Sequence, residues 1–241
     1  MARLVLLHSP FVGPASWGGV GAELSRRGHA VTTPAWPKLE PIPNDFYRTL
    51  AQAMAAQIEA GAQIEAGQGR ADEGPPILVA HSGGGALMPA LEAALATPPA
   101  GVILVDAILP HPGKAWLETA PPQLALQLRN GVDAGLLPPW DQWWPPGALA
   151  RLVPDAAVRT AVLSELEGLP LDYLEEAAPP MTLNGPAAYL QLSGAYDDEG
   201  QYAVRQGWPV VRLPLHHLAM LTHAEAVAGA IDGLAARLPR G

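Results

Sequence analysis

The sequence predicts an α/β protein, with a mostly parallel sheet of about six strands flanked by helices and interrupted by a helical cap. Short apolar runs alternate with helical patterns along the 241 residues, and such alternation is typical of parallel sheets with right-handed crossovers. The apolar runs are continuous rather than alternating, as expected of strands covered on both faces. One long stretch, residues 109–185, separates two of these runs.

Six apolar runs mark the predicted strands: residues 3–8, 30–34, 77–81, 101–106, 187–193 and 209–214. A helix is expected after Asn44, which we interpret as its N-cap, because apolar residues recur at fourfold spacing from Phe46 to Ile58. The tandem hexapeptide at 56–67 is interpreted as the end of that helix, leading into the surface loop QGRADEG.

Two further patterns concern helix ends. Thr222 and Glu225 form a capping-box pattern, followed by an apolar period from Val227 to Leu238, which predicts a C-terminal helix. Pro89 falls inside the helix expected after the third strand. An interior proline costs about 3 kcal/mol or kinks its helix, so this position requires compensation.

Residues 109–185 are predicted to form a helical cap, while residues 1–108 and 186–241 form the core domain. An excursion of about 75 residues is much longer than an ordinary connection between strands. Helical patterns cover roughly 121–135, 155–168 and 170–178. The segment LLPPWDQWWPPGAL is too proline-rich for regular structure, and the aromatic residues of the cap are Trp116, Trp140, Trp143 and Trp144. These tryptophans either hold the cap to the core or line an apolar substrate pocket.

The composition excludes several classes of partner and chemistry. Hydrophobic residues make up 49% and charged residues 15%, a globular composition. The net charge of −9 argues against nucleic acid and anionic membranes as partners. Cysteine is absent, which removes disulfides and thiolate nucleophiles. Neither a signal peptide core nor an apolar run long enough to span a membrane is recognisable, so we expect a cytoplasmic protein. The high usage of Ala, Pro, Gly and Arg indicates a bacterial source.

The strongest chemical signal is LVAHSGGGAL, residues 78–87. A nucleophile on a sharp strand-to-helix turn needs small neighbours two positions away on either side. Ala80 and Gly84 occupy those positions around Ser82, which predicts a serine nucleophile. A phosphate-binding turn is the alternative, but it would require a G-x-G-x-x-G pattern or a Walker lysine.

A serine nucleophile requires a base, and in such a fold the base follows the last strand. His216, His217 and His223 lie there, with His223 expected to face solvent. A carboxylate must also orient the imidazole. The candidates are Asp197 and Asp198 after the penultimate predicted strand, and Asp106 at the end of its neighbour.

Three stretches resemble one branch of the α/β-hydrolases, which contains plant methyl esterases and hydroxynitrile lyases. HSPFVGPASW (8–17) resembles the H-G-x-x-H-G-A-W-x-W loop of that branch. AHSGGG (80–85) resembles its nucleophile elbow, and HHLAML (216–221) resembles its D-H-M-P-M-L closing motif. The resemblance spans essentially the whole chain and implies the α/β-hydrolase fold, with a cap in the expected place.

The resemblance assigns Ser82 as nucleophile, His217 rather than His216 as base, and Asp197 as acid. Only 20 residues separate Asp197 from His217, fewer than is usual in this branch, so Asp106 and Asp198 stay open as alternatives.

The resemblance implies two oxyanion donors: the N–H of Gly83 and the N–H of the second residue after His8. In this sequence that second residue is Pro10. Proline has no N–H, and losing one such donor typically costs about 3 kcal/mol. Three alternatives follow: Phe11 donates instead, the Ser9 side chain substitutes, or the reaction forms no tetrahedral oxyanion.

The expected function is hydrolysis of a small, largely apolar carboxylic ester or thioester. The alternative is a cofactor-free lyase or cyclase, motivated by Ser9 and Pro10, although Leu218 stands where hydroxynitrile lyases have a catalytic lysine. A third possibility is a ligand-binding receptor without turnover. We expect His8 and His81 to orient loops and His111 to lie on the surface. No metal and no cofactor are expected, and the partner is a small-molecule apolar substrate bound by a monomer or homodimer.

Overall fold

A parallel sheet forms the centre of the protein, in a computed structural model that describes residues 1–40, 42–67 and 74–239. The strands of these residues are β1 Arg3–Leu7, β2 Ala30–Thr32, β3 Ile77–His81, β4 Gly101–Val105, β5 Leu136–Leu137, β6 Leu169–Pro170, β7 Ala187–Gln191 and β8 Val210–Arg212. Six of them form the main sheet in the order β2-β1-β3-β4-β7-β8, with every described pair parallel. The predicted α/β architecture of about six strands is confirmed.

Helices cover both faces of the sheet. The described helices are α1 Gly18–Arg26, α2 Phe46–Gly67, α3 Met88–Ala94, α4 Trp116–Thr119, α5 Pro122–Asn130, α6 Ala148–Leu152, α7 Ala156–Leu163, α8 Leu171–Glu175, α9 Asp197–Arg205 and α10 Ala224–Ala235. The apolar residues of α2 and α3 share a core with one face of β1, β3 and β4, while those of α1 and α10 share a core with the other face. Because β1, β3 and β4 are buried on both faces, their sequences show no alternation.

Helix α2 continues through the tandem hexapeptide as far as Gly67, as the sequence predicts. The expected loop beyond it falls on residues 68–73, which lie outside the described residues. Its N-cap is not Asn44, because Asp45 directly precedes the helix with a φ of 55°. The N–H groups of Phe46 and Tyr47 instead donate to the Glu176 carboxylate, at 2.9 and 3.1 Å.

The predicted capping box at the start of α10 is not formed. His223 is the residue before the helix, and no side chain caps its first turn. The Thr222 hydroxyl contacts the rings of His216 and His223 instead, at 3.0 and 2.8 Å.

Pro89 does not interrupt a helix. A 3₁₀-helix spans Ser82–Leu87, and α3 begins only at Met88, so Pro89 lies in the first turn of α3. The missing N–H of a proline breaks no helical hydrogen bond at that position.

Helices α4 to α8 and the β5–β6 pair lie between β4 and β7, within residues 109–185. The helices are shorter than their patterns suggest: α5 ends at Asn130 before Gly131, and α7 begins after Asp155, whose carboxylate caps it. The proline-rich segment forms β5 and a 3₁₀-helix at Trp140–Trp143. None of the described helices combines the length and the apolar character that crossing a membrane requires.

Candidate active site

Ser82 directly follows β3 and is the first residue of the 3₁₀-helix, where the backbone makes a strained turn. Its φ is 53°, a left-handed conformation that non-glycine residues rarely adopt. A Cβ at Gly84 would lie 3.0 Å from the His8 carbonyl oxygen, and one at Gly85 would overlap the Ile108 carbonyl oxygen. The glycines are therefore required because neighbouring backbone approaches the turn closely.

The structure brings Ser82, His217 and Asp106 into one hydrogen-bonded series. His217 Nε2 lies 3.1 Å from Ser82 Oγ, and His217 Nδ1 lies 2.9 Å from Asp106 Oδ2. His217 reaches the serine from the segment after β8, as the sequence predicts. His216 does not reach it, because its ring turns to the Thr222 hydroxyl.

The predicted acid, Asp197, is wrong as the partner of His217. Asp197 begins α9 at the surface, and its carboxylate accepts a hydrogen bond from the Gln191 amide. Asp198 is exposed on the same turn. The contacting carboxylate belongs to Asp106, one of the alternatives left open, which has a φ of 41° directly after β4. That conformation turns the Asp106 side chain toward the loop after β7 and toward His217.

The Asp106 carboxylate is fully buried and has four hydrogen-bond donors. Besides His217, these are the N–H groups of Leu192 and Ser193, at 2.8 and 3.0 Å, and the Ser193 hydroxyl at 2.6 Å. Burial of a carboxylate is costly unless such partners hydrogen-bond to it. Asp106 therefore joins β4, the loop after β7 and His217.

His8 and His81 hold the loops around the serine, as expected. His8 donates through Nδ1 to the Ser9 carbonyl at 2.8 Å and accepts the Trp36 N–H at 3.4 Å, and burial lowers its pKa to about 4. His81 Nε2 donates to the His217 carbonyl at 3.0 Å. Burial, followed by the neighbouring His217 ring, lowers the pKa of His81 well below its usual value. Both rings are therefore neutral.

His111 is not a surface residue, contrary to the prediction. It is only 9% exposed, and its ring hydrogen-bonds to the Lys114 carbonyl at 2.9 Å and to the Tyr47 hydroxyl at 3.4 Å. Packing of residues 109–185 against α2 encloses it. His223, in contrast, is exposed as expected.

The loop after β1 brings the Ser9 hydroxyl close to the turn of Ser82. Pro10 has no N–H, and the Phe11 N–H donates to Ser9 Oγ at 3.3 Å. A Cβ on Gly83 would lie 3.0 Å from Ser9 Oγ, so the buried Ser9 hydroxyl lies beside the turn of Ser82. Phe11 lines a cavity that opens at Ser82, whereas Ser9, Pro10 and Gly83 are not among the lining residues of that cavity.

Tyr196 also belongs to the site. Its ring stacks on the His217 ring, with centroids 5.0 Å apart and planes 7° apart. The Tyr196 hydroxyl also interacts with the Ser82 hydroxyl. In the sequence, only its position directly before Asp197 indicates that Tyr196 lies near the site, and no motif marks it.

An apolar cavity of about 620 Å³ opens at Ser82. Its polar walls include Ser82, His217 and Tyr196, and much of its apolar wall comes from four tryptophans: Trp116, Trp140, Trp143 and Trp144. Trp143 is 6% exposed and donates its indole N–H to the Pro138 carbonyl, whereas Trp144 is 43% exposed. The tryptophans therefore serve both in packing residues 109–185 and in lining the cavity. In the part of the chain that the structure describes, no three His, Asp or Glu side chains are grouped to hold a metal ion.

Comparison with known proteins gives a match to one family and a set of similar structures. The model of the alpha/beta hydrolase family matches residues 4–230. A structure of an extracellular alpha/beta-hydrolase from a Paenibacillus species, described as sharing structural and functional homology with tobacco salicylic acid binding protein 2, is 18% identical. The alignment covers 100% of both chains, with a TM-score of 0.74.

Two other similar structures are enzymes by name. A pyrethroid hydrolase from Sphingobium faniae is 21% identical over 97% of each chain, with a TM-score of 0.67. Tomato methylketone synthase I is 15% identical over 99% of each chain, with a TM-score of 0.69. No curated protein sequence matches this chain. At these identities the likeness shows the fold.

Proposed function

The chain belongs to the alpha/beta hydrolase family, and we propose that it hydrolyses small-molecule carboxylic esters or thioesters with largely apolar groups. The observation that carries the proposal is the hydrogen-bonded series of Ser82, His217 and Asp106 at the wall of an apolar cavity. Among the similar structures, a pyrethroid hydrolase and a relative of salicylic acid binding protein 2 support hydrolytic chemistry.

In the first half-reaction, Ser82 Oγ attacks the carbonyl carbon while His217 Nε2 accepts the serine proton. The separation of 3.1 Å is within reach for that transfer. Asp106 accepts the Nδ1–H, which holds the lone pair of His217 on Nε2 and stabilises the imidazolium. Collapse of the tetrahedral intermediate breaks the bond to the leaving oxygen or sulfur, which receives from His217 the proton that Ser82 gave up.

In the second half-reaction, His217 removes a proton from water, which attacks the acyl group on Ser82. The bond between the acyl carbon and Ser82 Oγ then breaks, and His217 returns the proton to the serine. The products are the carboxylic acid and the free enzyme.

The two oxyanion donors in this proposal are the Gly83 N–H and the Ser9 hydroxyl. Gly83 lies in the first turn of the 3₁₀-helix, where N–H groups lack an intrahelical acceptor. Ser9 accepts the Phe11 N–H, so its own hydrogen is available for donation. The proximity of Ser9 Oγ to Gly83 supports a joint role.

The substrate class follows from the cavity. Its volume of about 620 Å³ lies within the range of small-molecule pockets. Walls of tryptophan, leucine and proline favour an apolar acyl or alcohol group. We expect kcat/KM for 4-nitrophenyl esters to rise roughly fourfold for each added methylene until the cavity is filled.

The test of the proposal uses that ester series with the purified protein. Ser82→Ala should abolish turnover and labelling by a fluorophosphonate, while the exposed Ser164→Ala control should retain both. Ester turnover that survives in Ser82→Ala would refute the proposal.

A cofactor-free lyase or cyclase is the second candidate, and one observation favours it. Pro10 has no N–H to donate, and the N–H of the next residue, Phe11, already donates to Ser9 Oγ. The usual pair of backbone oxyanion donors is therefore incomplete. In that case Ser82 and His217 act as acid and base without an acyl-enzyme. Mass spectrometry of the protein mixed with a 4-nitrophenyl ester distinguishes the two, since only the hydrolase acquires an acyl group on Ser82.

A further inference from the structure

We propose that Tyr196 is a further catalytic residue, which donates a hydrogen bond to the leaving-group oxygen when the tetrahedral intermediate collapses. The inference rests on the proposed ester hydrolysis and deepens it. It assigns a role on the leaving-group side of Ser82, opposite the oxyanion donors.

Tyr196 lies against the reacting atoms. Its ring is stacked on the His217 ring, and its hydroxyl interacts with the Ser82 hydroxyl, which itself lies 3.1 Å from His217 Nε2. Ser82, Tyr196 and His217 all line the cavity. A bound ester whose carbonyl carbon reaches Ser82 therefore has its leaving group next to the phenol.

The topology decides which substrate oxygen Tyr196 can reach. Strand β3 lies between β1 and β4, and the loop after β1 brings Ser9 to one side of Ser82. Asp106 after β4 and Tyr196 after β7 approach from the other side, together with His217. Because His217 donates a proton to the leaving oxygen, that oxygen lies on the His217 side of Ser82, within reach of Tyr196 rather than of Ser9.

The position of Tyr196 is fixed by the same carboxylate that orients His217. Asp106 binds the N–H and the hydroxyl of Ser193, and the Ser193 carbonyl accepts the Tyr196 N–H at 3.3 Å. A donor held in place before the reaction stabilises developing charge more effectively than one that must move.

Tyr196 remains a donor over a wide pH range. Burial raises its pKa well above the usual value; the interaction with Ser82 partly offsets this effect, and the nearby Asp106 carboxylate adds to it. The phenol is therefore protonated at neutral and mildly alkaline pH.

The step balances without another reactant. As the bond between carbon and the leaving oxygen breaks, its electron pair goes to that oxygen, which receives the proton from His217 Nε2. Tyr196 keeps its own proton and contributes only a hydrogen bond. An alkoxide concentrates negative charge on this oxygen and benefits strongly, whereas 4-nitrophenolate spreads the charge over its ring and benefits little.

The experiment compares ethyl hexanoate with 4-nitrophenyl hexanoate, which share one acyl group and differ in leaving group. In Tyr196→Phe, which keeps the ring on His217, kcat/KM for the ethyl ester should fall roughly 10- to 100-fold, as for loss of a hydrogen bond to a charged group. For the 4-nitrophenyl ester it should change little. Tyr202→Phe, on the outer face of α9, is the matched control and should leave both esters unchanged.

An equal loss on both esters would overturn the inference, because an oxyanion donor or a structural residue affects both. An unchanged ethyl ester would overturn it as well. The thermal midpoint of Tyr196→Phe, expected to match that of the wild type, separates lost chemistry from lost structure. A wild-type protein that hydrolyses no ester of either kind would overturn the proposed function itself, and the inference with it.

Discussion

The Asp106 side chain both contacts His217 and holds the loop after β7. Besides the contact with His217, its carboxylate accepts hydrogen bonds from the N–H and the hydroxyl of Ser193 and from the N–H of Leu192. Removing it would leave buried donors without an acceptor, which costs about 1 to 3 kcal/mol for each group. The residue thus links the chemistry of His217 to the placement of the loop after β7.

A first prediction separates Asp106 from Asp197. Asp106→Asn should lower kcat for ester hydrolysis roughly 10⁴-fold, because an amide in place of the carboxylate favours the wrong tautomer of His217. Asp197→Asn, at the surface, should leave kcat close to the wild-type value. Steady-state kinetics on one 4-nitrophenyl ester measures both variants, and a larger loss in Asp197→Asn would contradict the assignment.

A second prediction concerns Ser9. Ser9→Ala should lower kcat roughly 100-fold, as loss of one oxyanion donor does in other hydrolases. Ser9→Thr retains a hydroxyl and should lose much less. If Ser9→Ala keeps full activity, the hydroxyl is not the second donor.

At the scale of elements, residues 109–185 contact the rest of the protein through carboxylates at helix ends. The first turn of α2 receives its cap from Glu176, which directly follows α8, and Tyr173 of α8 packs edge-on against Phe46. The Glu165 carboxylate similarly accepts the N–H of Ala15, in the first turn of a 3₁₀-helix at Pro14–Trp17, at 2.8 Å. Such contacts use backbone donors that have no partner within their own helix.

The third prediction tests this cap. Glu176→Ala should lower the free energy of unfolding by about 1 to 2 kcal/mol, because two N–H groups lose their acceptor and the helix dipole loses an anion. The adjacent Glu175→Ala removes only the exposed ion pair with Arg129 and should cost less than about 0.5 kcal/mol. Urea unfolding at pH 7.5 compares the two, and equal losses would argue against capping by Glu176.

At the scale of the whole molecule, two buried histidines make stability depend on pH. His8 and His81 have folded-state pKa values below the usual 6.5, chiefly because both are buried. In the folded state the neutral His8 ring uses one nitrogen as donor and the other as acceptor. Protonation would therefore cost a hydrogen bond as well as burying a charge.

The fourth prediction follows from the sign of these shifts. Between pH 6.5 and about 4 the unfolded chain binds a proton at His8 that the folded protein does not, so stability falls as the pH decreases. From pH 7.5 to pH 5, His8 alone should account for about 2 kcal/mol of this fall. His8→Asn should reduce the loss measured by urea unfolding, whereas the exposed His223→Asn should not. A pH dependence unchanged in His8→Asn would contradict the prediction.

Three features could be predicted because each depends on a pattern in the sequence. Apolar runs predict the sheet, small neighbours predict the turn of Ser82, and chain order predicts the contact between Ser82 and His217. The choice between Asp106 and Asp197 could not be predicted, because both follow strands whose ends face the site, and the φ of Asp106 decides it. The Glu176 cap was equally hidden, since the contact spans about 130 positions of sequence.

Four of the seven tryptophans surround the cavity, and the other three lie outside its lining. Indole emission responds to the polarity of its surroundings and to contact with other molecules. Occupancy of the pocket should therefore alter the intrinsic fluorescence, with the buried Trp17 supplying a constant background. The protein thus provides its own optical titration signal, so candidate ligands can be ranked by affinity without a label and without turnover.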